Sequence, residues 1–183
     1  MKKTLGQIHI YSGNGKGKTT TGLGLTMRAI GADLKVALVF FDKGGDFYAE
    51  RKVLTQLQKL YPKNFSWQAF GEVRMEKGKG FRFQNIPADL AQAQLGVKQV
   101  IKLLKQKFDL LILDEINTTV KTGLLKISDL QSIIDNKPVN TELVMTGRYC
   151  PPEIIKQADL VTEMQDIKHY AMNGVTVRPG IDY

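Results

Sequence analysis

The hydrophobic residues of the chain follow two alternating patterns, one typical of buried strands and the other of amphipathic helices. Near-continuous or alternating apolar runs predict strands, which we place at 7–11, 35–41, 65–70, 108–115, 141–146 and 160–163. Apolar side chains at helical spacing predict helices, which we place at 19–30, 50–60, 87–107 and 124–134, with a short helix opening at Pro151. Strands that alternate with helices predict an α/β fold in a single domain over 1–183, with a mostly parallel sheet and helices on both faces.

Three of the predicted helices carry apolar side chains that we expect to face the core. These are Leu23, Met27 and Ile30 on the helix at 19–30, Val53, Leu54, Leu57 and Leu60 on the helix at 50–60, and Ile127, Leu130, Ile133 and Ile134 on the helix at 124–134. Side chains at this spacing form one stripe along a helix, so each set predicts one buried face.

The first strand leads into a glycine-rich loop that predicts a phosphate-binding site. Gly13, Gly15 and Gly17 lie close together and are followed by Lys18 and Thr19, where the first helix begins. Glycines let successive backbone N–H groups turn inward, and the helix N-terminus adds to this anion-binding nest. Lys18 supplies a positive charge, and the Thr19 hydroxyl can bind Mg²⁺. Strand, loop and helix are the context of a P-loop, so the predicted fold is P-loop NTPase-like and RecA-like.

This loop is shorter than the usual pattern G-x-x-x-x-G-K-[ST], because Ser12 stands where the first glycine is expected. Bound phosphates therefore need not lie as they do in an ordinary ATPase. The alternative is a glycine-rich turn that binds nothing.

Two carboxylates end the strand at 108–115, as in the second half of a P-loop site. Of Asp114 and Glu115, one would hold Mg²⁺ and the other would hold metal or orient a nucleophile. The run at 136–139 begins like a guanine-recognition motif, but Val139 replaces its aspartate, which argues against a GTPase. Arg148 follows the strand at 141–146, where it could reach a phosphate.

The segment 71–85 has no clear periodicity. It contains two aromatic residues in a glycine- and lysine-rich setting, namely Lys77, Gly78, Lys79, Gly80, Phe81, Arg82 and Phe83. Aromatic rings in such a loop are not placed like core residues, so they predict a lid or a platform for a flat ligand. The alternative is that Phe81 and Phe83 only pin a long loop to the body of the protein.

Composition and charge indicate an ordinary globular protein with a net charge of +8 and one cysteine, Cys150. No apolar run approaches the roughly 20 residues of a membrane helix, and no apolar signal core follows the two N-terminal lysines. We therefore predict a cytoplasmic protein without a membrane partner. The lysines are scattered, which favours attraction for a polyphosphate over a nucleic-acid partner. Neither His9 nor His169 has a serine or cysteine partner that the sequence can place, so the chemistry is expected to be carried by a ligand.

The residues of the loop and of the C-terminal half resemble one family. The run Gly13 to Thr20 is similar to the shortened P-loop of the ATP:corrinoid adenosyltransferases of the CobA/BtuR type. The resemblance covers nearly the whole chain and continues at Leu113-Asp114-Glu115, Thr146-Gly147-Arg148, Cys150, Ala158-Asp159, Lys168-His169 and Gly180-Ile181-Asp182-Tyr183. It implies a transferase in which Co(I) of a corrinoid attacks the 5′ carbon of ATP and triphosphate leaves. It also implies that ATP lies reversed in the loop and presents its 5′ carbon.

The resemblance implies roles for single residues as well. The triphosphate would contact Gly13, Asn14, Gly15, Lys16, Gly17, Lys18, Thr19 and Thr20. Arg28 would assist ATP binding, and Lys18 would act electrostatically, with no protein nucleophile. Thr19 and Glu115 would hold Mg²⁺ or Mn²⁺, with Asp114 behind them. Phe81 and Phe83 would pack below the corrin ring, exclude the lower axial ligand and make Co(II) easier to reduce.

The chain departs from the family pattern in two respects. The second aromatic residue of the family is a tryptophan, and here it is Phe83. Only a few residues precede the first strand, so the lid that an N-terminal extension forms in some members is expected to come from elsewhere or to be missing. The family further implies a homodimer, a flavodoxin-like electron donor as partner, and ATP and a corrinoid as co-substrates.

Two other functions stay open from the sequence. A P-loop phosphotransferase or ATPase would cleave the β–γ bond of ATP and release ADP. A RecA-like nucleic-acid-binding ATPase would be retained on single-stranded DNA in a salt-dependent way.

Overall fold

A six-stranded parallel sheet forms the centre of the protein, in a computed structural model that describes residues 5–76 and 80–183. The strands in chain order are β1 (Ile8–Ser12), β2 (Val36–Phe41), β3 (Phe65–Phe70), β4 (Met75–Glu76), β5 (Gly80–Phe81), β6 (Leu110–Asp114), β7 (Glu142–Thr146) and β8 (Leu160–Glu163). The main sheet has the order β3-β2-β6-β7-β1-β8, and all its neighbours pair in parallel. Strands β4 and β5 pair with each other in antiparallel fashion. The predicted α/β class and mostly parallel sheet are confirmed.

Helices connect the strands. They are α1 (Lys18–Gly31), α2 (Glu50–Leu60), α3 (Pro87–Leu104), α4 (Ile116–Lys121), α5 (Ile127–Asp135) and α6 (Pro152–Ile155), followed by a 3-10 turn at Tyr170–Asn173. The sequence analysis did not predict α4, which is too short to show a helical period. Helix α5 begins later than the predicted start at 124, because the Asp129 carboxylate accepts a hydrogen bond from the Lys126 N–H at 2.7 Å and fixes the first turn there. Among the described residues, none of the helices combines the length and the apolar character needed to cross a membrane.

Two hydrophobic cores cover the two faces of the sheet. Strand β2 is buried along its whole length, and its alternate residues enter different cores. Val39 and the β2 residues on the same face of the sheet pack with buried residues of α3 and α5. Leu38 and the β2 residues on the opposite face pack with residues of α1 and α2. This alternation explains why β2 reads as a continuous apolar run, and it confirms helices on both faces.

The buried face of some helices differs from the prediction. Met27, Val53, Leu60 and Ile127 are exposed, although the apolar spacing predicted that they face the core. Helix α1 instead packs against the sheet through small buried residues, among them Gly22, Thr26 and Ala29. A Cβ atom on Gly22 would lie 3.2 Å from the Ile112 side chain, so the close approach of helix and strand favours small residues over large apolar ones.

The order of the strands determines where a site can form. Ligands of parallel α/β sheets bind at the carboxyl ends of the strands. Strand β7 lies between β1 and β6, so the glycine loop after β1 and the carboxylates after β6 are about two strand spacings, or roughly 10 Å, apart. Thr146, the last residue of β7, lies in the gap between them.

Two helix-interior glycines provide a test of this packing. At Gly24 an added Cβ has open space, so Gly24→Ala should raise the free energy of unfolding by about 0.5–1 kcal/mol through helix propensity. At Gly96 the added Cβ would lie 2.7 Å from the buried ring of Phe41. Overpacking costs about 1–3 kcal/mol, so Gly96→Ala should lower the free energy of unfolding by about 1 kcal/mol after the helix gain. Urea denaturation measures both, and equal stabilisation by the two substitutions would contradict the packing described.

Candidate functional site

The glycine loop after β1 is held against the segment that follows β8. Gly13 and Gly17 have left-handed backbone, with φ of 92° and 113°. The Gly15 N–H donates to the Met164 carbonyl at 2.7 Å. Cβ atoms on Gly13 and Gly15 would lie 2.3 Å from the Met164 oxygen and 2.7 Å from the Gln165 oxygen, respectively. These glycines therefore allow the loop to pack closely on the segment after β8 as well as to form the predicted turn. The Gly15 N–H is already hydrogen-bonded to that segment.

Lys18 lies beneath this loop. Its ammonium donates to the carbonyl oxygens of Gly13 and Gly15, both at 2.7 Å, and the side chain is buried. Burial lowers the pKa of Lys18, which the Glu115 charge opposes and the nearby Arg148 charge reinforces. The loop and its lysine thus form one unit with the positive charge fixed at the start of α1.

Asp114, at the end of β6, is the centre of a polar cluster. Its Oδ1 accepts a hydrogen bond from the Thr146 hydroxyl at 2.7 Å, and its Oδ2 accepts one from the Thr19 hydroxyl at 3.2 Å. The Lys43 ammonium lies 2.6 Å from the same Oδ2 and 2.9 Å from the Thr19 oxygen. Burial lowers the pKa of Lys43, but the charge and hydrogen bond of Asp114, together with the charges of Glu115 and Tyr48, raise it above its usual value. Sequence reasoning did not place Lys43 or Thr146 in the site.

The cluster suits a hard divalent cation. No group of three or more His, Cys, Asp and Glu side chains that could hold a metal occurs within residues 5–76 and 80–183. Mg²⁺ commonly uses one or two carboxylates together with substrate phosphates, so a larger protein cage is not required. The Thr19 hydroxyl donates a hydrogen bond to the Asp114 carboxylate. This arrangement is expected where a carboxylate orients a hydroxyl that binds a metal ion.

Glu115 lies at a sharp turn between β6 and α4. Its φ is 62°, and its N–H donates to the Thr146 oxygen at 3.0 Å. The Thr118 hydroxyl donates to the Glu115 carboxylate at 2.6 Å and accepts from the Arg148 N–H at 2.9 Å. These bonds bring the end of β7 and the start of α4 together, and they place Arg148 beside the loop, as the sequence predicted.

A cavity of about 300 Å³ lies among these groups. Its walls combine the loop residues 15–20 with Lys43, Glu115, Arg148 and Asp182. Gly13 and Asn14 belong to the loop but do not line the cavity. Several positive charges around one small cavity favour a polyphosphate ligand.

The C-terminal segment folds over the loop. The Asp182 carboxylate is in contact with the Lys16 ammonium and the Tyr170 hydroxyl, and it accepts from the Arg178 N–H at 2.9 Å. The Lys16 and Tyr170 hydrogen bonds hold the pKa of Asp182 well below its usual range, and the same bond to Asp182 raises the pKa of Lys16. In the sequence analysis, Asp182 stands only in one of the runs that carry the family resemblance.

A second, larger cavity of about 460 Å³ adjoins the first and shares Tyr48 and Asp182 with it. Phe81 lines this cavity together with Tyr183. Phe83 does not line it, but its ring contacts that of Phe81 edge-on, with 4.9 Å between centroids. Both phenylalanines are exposed, which agrees with the prediction that they are not core residues. Residues 77–79 of the predicted lid lie outside the described residues.

A buried ion-pair network anchors the aromatic segment. Arg74 donates from Nε to the Asp42 carboxylate at 2.6 Å and from its guanidinium to Asn85 Oδ1 at 2.9 Å. Arg82 donates to both carboxylate oxygens of Asp89 in the first turn of α3, at 2.6 and 3.0 Å. The Arg82 bonds lower the pKa of Asp89. The arginine between the two phenylalanines therefore binds the body of the protein, while the rings remain free to contact a ligand.

Arg28 lies apart from these residues. It is in the last turn of α1 and lines a separate cavity of about 220 Å³ that also contains His9 and Glu142. The prediction that Arg28 assists ATP binding therefore finds no support in the geometry of one chain.

The two histidines and the cysteine do not line the cavity formed by the glycine loop. His9 pairs with the Glu142 carboxylate at 2.7 Å. His169 accepts a hydrogen bond from the Ala171 N–H and caps the 3-10 turn. Burial raises the pKa of the Cys150 thiol to about 12, so this cysteine is not ionised at neutral pH.

Comparison with known proteins agrees with this geometry. The family model described as ATP:corrinoid adenosyltransferase BtuR/CobO/CobP matches residues 4–183. The chain is 32% identical over 179 residues to a corrinoid adenosyltransferase of Pseudomonas aeruginosa, an alignment covering 97% of this chain and 84% of the relative. Corrinoid adenosyltransferases of Escherichia coli K12 and Salmonella typhimurium are 31% and 32% identical, with 97% of this chain and 86% of each relative covered. The chain belongs to the ATP:corrinoid adenosyltransferase family and is a transferase of that type.

Proposed function

We propose that this chain transfers the 5′-deoxyadenosyl group of ATP to Co(I) of a corrinoid and releases triphosphate. The observation that carries the proposal is the pair of adjoining cavities. One is lined by the glycine loop and by basic side chains, and the other is larger and lined by Phe81 and Tyr183. They meet at Tyr48 and Asp182, so ligands bound in the two cavities would face each other at that border.

The chemistry needs little from the protein beyond position and charge. The electron pair of Co(I) forms the bond to C5′, the C5′–O bond breaks, and its electrons leave with the triphosphate oxygen. No protein group has to accept a proton or form a covalent bond. Lys16, Lys18 and Arg148 lie where they would stabilise the negative charge of the leaving triphosphate. The rest of the rate acceleration comes from holding cobalt in line with the C5′–O bond that breaks.

Thr19 and Glu115 would hold Mg²⁺ or Mn²⁺, with the Asp114 carboxylate orienting the Thr19 hydroxyl. The cation, when bound, neutralises part of the triphosphate charge. The proposed reversed position of ATP is supported by two features of the loop. It is shorter than the usual pattern, and the N–H of Gly15 bonds to the Met164 carbonyl, so that group does not cradle a phosphate.

Phe81 and Phe83 are proposed to pack against the corrin ring. Phe83 is 84% exposed, which leaves a large apolar surface for a flat ligand to cover. A homodimer and a flavodoxin-like electron donor that supplies Co(I) are further parts of the proposal, and both rest on family resemblance alone. A cytoplasmic location, predicted from the sequence, is also proposed. Nucleic acid is not proposed as a partner.

The identity of the phosphate product tests the reaction. With chemically reduced cob(I)alamin, MgATP and purified protein under anaerobic conditions, we expect a light-sensitive alkylcobalamin and one triphosphate per turnover. The corrinoid spectrum and the phosphate products are followed together. Release of ADP and phosphate without a spectral change would instead indicate a P-loop phosphotransferase, and retention on single-stranded DNA at low salt would favour the nucleic-acid reading.

The role of Phe83 is tested by truncation of its ring. Phe83→Ala should lower turnover with a Co(II) corrinoid under reducing conditions by about fivefold, because an aromatic contact contributes roughly 1 kcal/mol. ATP affinity, measured by calorimetry, should stay unchanged. Val139→Ala is the matched control, since Val139 is 83% exposed and precedes β7 at the opposite end of the sheet. An equal loss of ATP binding in the Phe83 variant would refute the assignment.

A further inference from the structure

The ammonium of Lys43 lies between the two groups that the proposed metal site would use. Its Nζ is 2.9 Å from the Thr19 oxygen and 2.6 Å from Asp114 Oδ2, and these two oxygens are 3.2 Å from each other. The three atoms form a closed triangle. A positive charge at this corner satisfies an Asp114 side chain that is only 1% exposed.

We infer that Lys43 is a positioning residue that holds the cation position between Thr19 and Asp114 until nucleotide arrives. When MgATP binds, Lys43 yields this position to the metal and places its own charge against the triphosphate. The inference rests on the proposed function, because it concerns the site proposed there for MgATP.

The backbone at Lys43 is anchored, so the proposed movement involves the side chain alone. Arg51 donates from its guanidinium to the carbonyl oxygens of Lys43 and Gly45. The Lys43 N–H donates to the Phe70 carbonyl at 3.4 Å, so the turn after β2 is tied to the neighbouring strand. The side chain itself is 12% exposed and lies over the rings of Phe40 and Tyr48, with 5.3 and 5.5 Å from Nζ to the centroids. A flexible four-carbon stem on an anchored backbone can move its charge without moving the chain.

Electrostatic repulsion makes the two cations mutually exclusive. A divalent ion bound to the Thr19 oxygen would lie within a few ångströms of the present ammonium, and like charges at such a distance repel strongly where water is scarce. The ammonium has a destination within reach, because Lys43 lines the same cavity as Lys16, Lys18 and Arg148. Only an anionic ligand would make that cavity favourable for another positive charge. Metal and nucleotide are therefore expected to bind with positive coupling, and Lys43 adds to the coupling that shared phosphate ligands provide.

The decisive variant is Lys43→Met, which keeps the unbranched stem and removes the charge. Mn²⁺ is the probe, because its electron paramagnetic resonance signal reports free and bound ion without any corrinoid or turnover. Without ATP, Lys43→Met should bind Mn²⁺ about tenfold more tightly than the wild type, since the buried carboxylate has lost its partner. With ATP present, the gain in Mn²⁺ affinity over the wild type should be smaller than without ATP, so the coupling between Mn²⁺ and ATP should be weaker than in the wild type.

Two controls accompany this measurement. Lys35→Met removes an exposed lysine just before the start of β2, at the end of that strand away from the cavity, and should bind Mn²⁺ as the wild type does. Lys43→Arg keeps the charge and should retain weak Mn²⁺ binding in the absence of ATP. Circular dichroism establishes that each variant folds. If Lys43→Met does not fold, Lys43→Gln, which also removes the charge, is measured in its place with the same expected gain in Mn²⁺ affinity.

The experiment distinguishes failure of the Lys43 inference from failure of the proposed function. If wild-type protein binds Mn²⁺ and ATP with positive coupling, but Lys43→Met shows the same coupling and no gain in Mn²⁺ affinity, the Lys43 inference is overturned and the proposed function stands. If wild-type protein binds neither MnATP nor MgATP, both are overturned.

Discussion

Asp114 carries its carboxylate into the interior at the end of β6, and the surrounding groups compensate that charge. Donors reach it from three different elements: Thr19 at the start of α1, Lys43 after β2 and Thr146 at the end of β7. An unpaired charge in this position would cost several kcal/mol, so each element is held in place partly by the need to satisfy it. The glycine loop, the proposed metal position and the central strands are thereby placed in one fixed relation.

The site is completed by segments that are distant along the chain. The glycine loop packs on the backbone that follows β8, and its Lys16 contacts Asp182 in the C-terminal segment. The phosphate cavity therefore depends on contacts between the first and the last parts of the chain. Ile181 and Asp182 of the C-terminal segment form part of the wall of this cavity.

The regular parts of the fold could be predicted because their signals are local. Buried parallel strands read as apolar runs, and the glycine loop reads directly as a phosphate site. The burial of single helical residues could not be predicted, because α1 approaches the sheet through Gly22 and Thr26 and leaves Met27 in solvent. Lys43 was missed for a different reason. Its contact with Asp114 joins two strands that become neighbours only through the order of the sheet, which apolar patterning does not encode. The roles given to Arg28, Phe81 and Phe83 depend on ligands or a second chain, which no pattern in one sequence supplies.

Two consecutive residues of the turn after β2 line the two different cavities, Asp42 the larger one and Lys43 the smaller one. Asp42, whose φ is 51°, directs its carboxylate to Arg74 and so to the aromatic segment, while Lys43 directs its charge to the phosphate cavity. A single peptide unit is thus common to the regions proposed for the two co-substrates. Any substitution that changes the backbone here would disturb both regions at once, so the adaptation of this protein to a different corrinoid is constrained by its need to keep binding ATP.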